Sequence, residues 1–167
     1  MFDPEKVVFK LEVSDEGYPP VQYESLWAIR QMQGSYVIDN MPYYIYGVSK
    51  GDAVAVDQLD GDHFASFVVS RGGHSTLRVF VDELSSRNSI IDNLIELGAK
   101  CSSSKGLSLF VVDIPPEVDF KEIDSFLLSR CDDEHVAYED ACLQHDGIEQ
   151  ARLQECADLA TIPLRLN

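Results

Sequence analysis

Leu77–Gly98 reads LRVFVDELSSRNSIIDNLIELG, and the hydrophobic period changes inside it. Leu77 to Val81 has the composition and spacing of a strand. Ser85 or Ser86 can then cap a helix whose Ile90, Ile91, Leu94, Ile95 and Leu97 are spaced for one buried face. Gly98 follows, where a helix terminus favours left-handed backbone. Downstream, Ala99 to Ser102 predicts a short strand, and Ser103-Ser104-Lys105-Gly106 turns it into Leu107 to Ile114 (LSLFVVDI). Pro115-Pro116 ends that strand, and Asp119-x-x-Glu122 resembles the capping box that opens a helix with Phe120, Ile123, Phe126 and Leu127 inward. His135 to Leu143 predicts a last strand, so residues 74–146 read β-α-β-β-α-β, the ferredoxin-like order.

Upstream, the pattern is short strands and close turns. Lys6–Val13, Ser25–Arg30, Tyr36–Ile38, Tyr43–Val48, Ala53–Gln58 and His63–Ser70 are predicted strands, with Asp60-Gly61 as a hairpin turn between the last two. Residues 1–73 therefore predict a small antiparallel β barrel or sandwich, and the fold class is α+β. Ser70–Ser75 is the expected boundary between the two units, and residues 147–167 are expected to form an acidic tail or short helix.

Composition narrows the function. The 167 residues carry 13 Lys+Arg against 29 Asp+Glu, a net charge of -16, with ordinary globular proportions of 45% hydrophobic and 25% charged residues. Such a chain lacks the clustered cations that phosphate backbones require, so nucleic acid is not an expected partner. No apolar run is long enough for a bilayer, and Met1 to Lys10 lacks a signal-peptide plan, so the expected location is the cytoplasm. Cys101, Cys131, Cys142 and Cys156 have no metal-ligand spacing and are expected as free thiols; neither metal nor cofactor is expected. Residues 131–160 hold nine acids against Arg152 alone. Asp132, Asp133, Glu134, Glu139, Asp140 and Asp146 are thus the candidate surface for a basic protein partner, either as a solvated face or as one that steers association.

Gly72-Gly73-His74-Ser75-Thr76-Leu77-Arg78 is the most chemical-looking stretch. Its glycines can bring backbone N–H groups to an anion, His74 can move protons, and Arg78 can pair with a carboxylate or phosphate. The alternative is a junction between two halves with Arg78 in a structural ion pair. His74 and Ser75 are neighbours on an extended chain and point apart, which disfavours their direct pairing. Asp52, after Gly51, reads as a turn residue bonding its local backbone. Trp27, Tyr36, Tyr43, Tyr44 and Tyr46 either line a pocket or fill the core. P-loop and dinucleotide fingerprints are absent.

Tyr18-Pro19-Pro20, Glu24-Ser25-Leu26-Trp27-Ala28, Asp39-Asn40-Met41-Pro42-Tyr43-Tyr44, Gly47-Val48-Ser49-Lys50-Gly51-Asp52, Gly73-His74-Ser75-Thr76-Leu77-Arg78 and Val112-Asp113-Ile114-Pro115 come in an order that resembles the bacterial family known as domain of unknown function 4265, over about residues 7–143. The resemblance implies no activity. Two functions remain in view. The first is an acidic partner-binding protein of the immunity or antitoxin type, which neutralises a basic toxin domain. The second is a small-ligand sensor or enzyme whose pocket lies at the seam between the halves, built from Glu24, Asp52, His74 and Arg78. Neither reading fixes an oligomeric state.

Overall fold

Alternating apolar residues make the first unit. In the computed structural model, which describes residues 2–166, β1 (Pro4–Lys10) turns Val7 and Phe9 inward, and β2 (Tyr23–Arg30) turns Leu26 and Ala28 to meet them. β3 (Tyr36–Ile38), β4 (Ala53–Leu59) and β5 (Asp62–Ser70) continue the sheet, which closes into a five-stranded barrel. Each consecutive pair is antiparallel; an odd count leaves the first and last strands pointing the same way, and β1 pairs with β5 in parallel. The β4–β5 hairpin turns on Asp60 and Gly61, both at positive φ (53° and 87°), as a tight hairpin with the strand twist demands.

The second unit is a four-stranded antiparallel sheet of β6 (Ser75–Val81), β7 (Lys100–Ser103), β8 (Leu109–Ile114) and β9 (Val136–Cys142), in the order β7-β8-β6-β9. Helices α1 (Leu84–Glu96) and α2 (Phe120–Arg130) are inserted between β6 and β7 and between β8 and β9. Leu77, Val79, Val112 and Ile114 face the helices and pack with Ile90, Leu94, Ile123 and Leu127. Thr76, Arg78 and Asp113, at the intervening positions, look the other way and are also buried. The fold is mixed α+β.

Three local expectations are corrected. The helix after β6 is capped two or three residues earlier than expected and starts at Leu84; Glu83 is its N-cap without a side-chain cap bond, and the Ser85 hydroxyl donates to the Glu83 carboxylate instead (2.7 Å). Ile95 is 53% exposed rather than on the buried face. Tyr43–Val48, whose composition predicts a strand, belongs to no ladder. Its amides are taken by single groups rather than by a partner strand: Glu24 accepts from Tyr43, Tyr44 and Ile45, Thr161 Oγ1 accepts from Tyr46, and the Ala141 carbonyl accepts from Gly47.

The β3–β4 connection therefore runs between the two units as a wedge. After α3 (Gln150–Asp158) the chain returns to the barrel, where the Thr161 amide donates to the Tyr46 carbonyl, Ile162 enters the barrel core, and Val68 exchanges two backbone hydrogen bonds with Pro163 and Arg165. Residues 161–165 thereby fasten α3, which lies beside β9, to the barrel wall.

Candidate functional site

The wedge is pinned at two places, and three of the four predicted pocket residues divide between them. At the first, Asp52 is fully buried at the end of the connection. Its carboxylate accepts from the Ser49 amide (2.9 Å), the Gly72 amide (3.0 Å), Arg71 Nη1 (2.8 Å) and Gln144 Nε2 (2.9 Å). Ser49 Oγ in turn hydrogen-bonds Thr76 Oγ1 on β6 (2.6 Å). One carboxylate thus ties the wedge, the barrel–sheet crossing and the segment after β9. The Gly73 amide is also consumed, donating to Gln144 Oε1 (2.8 Å). No free N–H pair remains there to cradle an anion.

His74 lies beside this point but engages a different acid. Its Nδ1 is 2.9 Å from the Asp113 carboxylate, which burial pushes above its ordinary value and the imidazole draws back down. Ser75 points away, as its neighbouring position requires. Its hydroxyl accepts from the Gln144 amide and lies 2.7 Å from His145 Nδ1. His145 Nε2 is 2.9 Å from the Pro115 carbonyl, which can only accept, so Nε2 carries the proton and Nδ1 accepts from Ser75. Ser75 is fully buried, so its hydroxyl is closed off from solvent.

The second pin joins Glu24 and Arg78. Glu24 holds the three consecutive amides of Tyr43, Tyr44 and Ile45; burial raises its pKa, and these amides and the Arg78 charge oppose the rise. Arg78 is the largest fully buried side chain. Its Nε donates to Glu139 (3.1 Å), and its guanidinium lies 4.5 Å from the centre of the Tyr46 ring. The Tyr46 hydroxyl donates to the same Glu139 carboxylate (2.9 Å), and burial and that carboxylate push its pKa up to about 12. Arg78 Nη2 finds no partner among the described residues. The buried Arg78 guanidinium is thus held by one carboxylate, one ring and a long 3.5 Å contact to the Pro42 carbonyl, with the Glu24 charge acting on it from the wedge side.

The candidate partner surface is divided too. Asp132, Asp133 and Glu134 precede β9 and Asp146 follows it, so the seven-residue strand separates them by roughly 20 Å. Asp132 accepts from the amides of Glu134, His135 and Val136, which lowers its pKa to about 2. Glu139 is committed to Arg78 and Tyr46, and Asp140 to Arg152, which also grips Asp124. Outward-facing acids gather where β6 ends and β9 begins. There His135 is flanked by Asp82 (2.8 Å), Glu134 (3.8 Å), Asp132 and Glu83, and the Asp82 hydrogen bond raises its pKa. Asp82 and Glu83 are not among the acids expected to form the partner surface; their signal is the adjacent acid pair directly before α1.

Of the predicted aromatics, Tyr36 fills the barrel core, while Tyr44 and Tyr46 join Tyr18 around a cavity of about 340 Å³ between the barrel and the residues after α3. Trp27 is 47% exposed on the outer barrel wall, under Lys6 Nζ at 5.3 Å. Among the described residues, no helix is long and apolar enough to cross a membrane, and no group of three or more His, Cys, Asp or Glu is arranged to hold a metal.

The model of the family described as domain of unknown function DUF4265 matches residues 24–138. A crystal structure of a hypothetical protein from Neisseria gonorrhoeae is similar in fold, with a TM-score of 0.67 at 20% identity, covering 86% of this chain and 96% of that one. No curated protein matches. The chain belongs to the DUF4265 family.

Proposed function

We propose that this DUF4265 protein is a cytoplasmic partner-binding protein, an immunity- or antitoxin-type inhibitor that covers a basic toxin domain. One observation supports the reading most. The groups a catalytic reading would use, Asp52, Ser75, Arg78 and the Gly72 and Gly73 amides, are buried or already bonded within the chain. What faces outward is the acid excess, with Asp82, Glu83, Asp133 and Glu134 exposed around one end of the second sheet. A surface of one sign accelerates association with a basic partner and makes that rate salt-dependent.

In this reading, residues 1–73 and 74–146 are two units, and the second is ferredoxin-like. Its β-α-β-β-α-β order and β7-β8-β6-β9 strand order support that assignment. A second reading, a small-ligand sensor or enzyme at the seam, draws support from His74 and Asp113 at 2.9 Å, with His74 partly exposed.

Charge reversal tests the proposal. Glu83→Lys combined with Glu134→Lys alters two exposed side chains and spares Asp132, which holds the loop backbone. Association with the captured partner is expected to slow by about tenfold or more at low salt, with a shallower salt dependence. An unchanged association rate contradicts the proposal.

A further inference from the structure

The geometry points to a second recognition element: the tyrosine-walled cavity binds one organic cation, the guanidinium or ammonium end of a basic side chain. This deepens the proposed function, since a basic partner carries such groups. Tyr18 and Tyr44 stand as two walls, ring centres 6.1 Å apart and planes 78° to each other, and Tyr46 completes the aromatic lining. Aromatic faces are electronegative, and rings set around a small space are a cation receptor. Tyr46 already engages one cation on this principle, the buried Arg78 at 4.5 Å.

The charges nearby select the sign of the ligand. At the cavity wall, Glu12 and Asp158 stand against Lys10 alone. Behind the rings, Glu139 and Glu24 stand against Arg78 alone; the charges of all three reach the Tyr18 hydroxyl. Acids outnumber bases two to one in both layers, so an anion is disfavoured and a cation gains in each. Pro19 and Leu159 offer apolar contact for an aliphatic stem. The volume of about 340 Å³ suits a side-chain end rather than a large cofactor.

The test is an amide NMR titration of the full chain with Nα-acetyl-arginine amide and with tetramethylammonium, against Nα-acetyl-norleucine amide as the neutral control. Both cations are expected to shift the amides of Tyr44, Tyr46 and Thr161, and the neutral control is not. Tyr18→Leu is expected to weaken cation binding by about fivefold, while Tyr18→Phe, which keeps the ring, retains it. Tyr18 is 38% exposed, so both variants are expected to fold, and their spectra report it directly. Equal shifts from the neutral control, or Tyr18→Leu binding as wild type, would overturn the site. Cation binding here without any basic partner in the cell would assign the cavity to a free amine and defeat the partner reading alone. A basic partner that binds while the cations leave these amides unmoved would defeat the cavity alone.

Discussion

Asp52 shows how one residue sets the relation between two units. Its buried carboxylate satisfies four donors from three parts of the chain, two of them backbone amides whose burial would otherwise be costly. Asp52→Ala removes the acceptor, leaves Arg71 without its carboxylate and strands the Ser49 and Gly72 amides. The expected loss is about 3 kcal/mol in urea unfolding. Glu12→Ala, at an exposed position, is expected to stay within about 0.5 kcal/mol of wild type. An Asp after Gly reads locally as a turn residue, and the Ser49 hydrogen bond is local in that sense. The bonds to Arg71, Gly72 and Gln144 span 19, 20 and 92 positions, and no local pattern encodes them.

At the scale of elements, the wedge between β3 and β4 depends on Gly47. Its φ is +81°, and a Cβ there would lie 2.9 Å from the Ala160 Cβ and 3.2 Å from the Ala160 Cα, so the chain after α3 has no room to remain. Gly47→Ala is expected to cost about 2 kcal/mol and to raise amide exchange at Thr161 and Arg165 ahead of the second sheet. Native-like exchange at both amides would show that the wedge does not hold the C-terminal segment.

Arg152 of α3 makes the companion bridge, gripping Asp124 of α2 and Asp140 of β9 with four hydrogen bonds of 2.8–2.9 Å. The hydrogen bond from Arg152 lowers the pKa of Asp124 below its ordinary 3.8. Asp124 therefore contributes stability that is present above that ordinary value and is lost as the pH falls through the lowered one. Asp124→Asn is expected to cost about 1–2 kcal/mol at neutral pH and to flatten the acid limb of the stability curve. Parallel acid limbs for variant and wild type would show that Asp124 has no such coupling.

Most elements were legible because their signals are local. The Asp60-Gly61 hairpin, the alternation along β1 and β2, the Asp119 cap and the Gly98 helix end each rest on near neighbours. Tyr43–Val48 misled because β-branched and aromatic composition reports what fits a pleated surface, not whether a partner strand exists. Here the partners are a carboxylate on β2 and a hydroxyl 115 residues away. Glu24, Asp52, His74 and Arg78 are singled out by residue type alone; that Glu24 and Arg78 share one pin, Asp52 holds another and His74 turns to Asp113 depends on the docking of the halves, which one strand's pattern cannot reveal.

Across the whole molecule, the net charge of -16 is not spread passively. Arg71, Arg78 and Arg152, three of the thirteen basic residues, pair with Asp52, Glu139, Asp124 and Asp140 and serve the fold. The segments of the family resemblance, residues 39–52 and 73–78 above all, coincide with these internal joints. A function borne by the protein as a unit is then expected on the outside, through the acids around His135 and the tyrosine-walled cavity. The most direct measurement is capture from native lysate with two baits in parallel, wild type and the Glu83→Lys, Glu134→Lys variant, washed at low and moderate salt and read by mass spectrometry. The predicted result is one stoichiometric basic protein on the wild-type bait, released by salt and depleted on the variant. No partner on either bait, or one held equally by both at moderate salt, would contradict it.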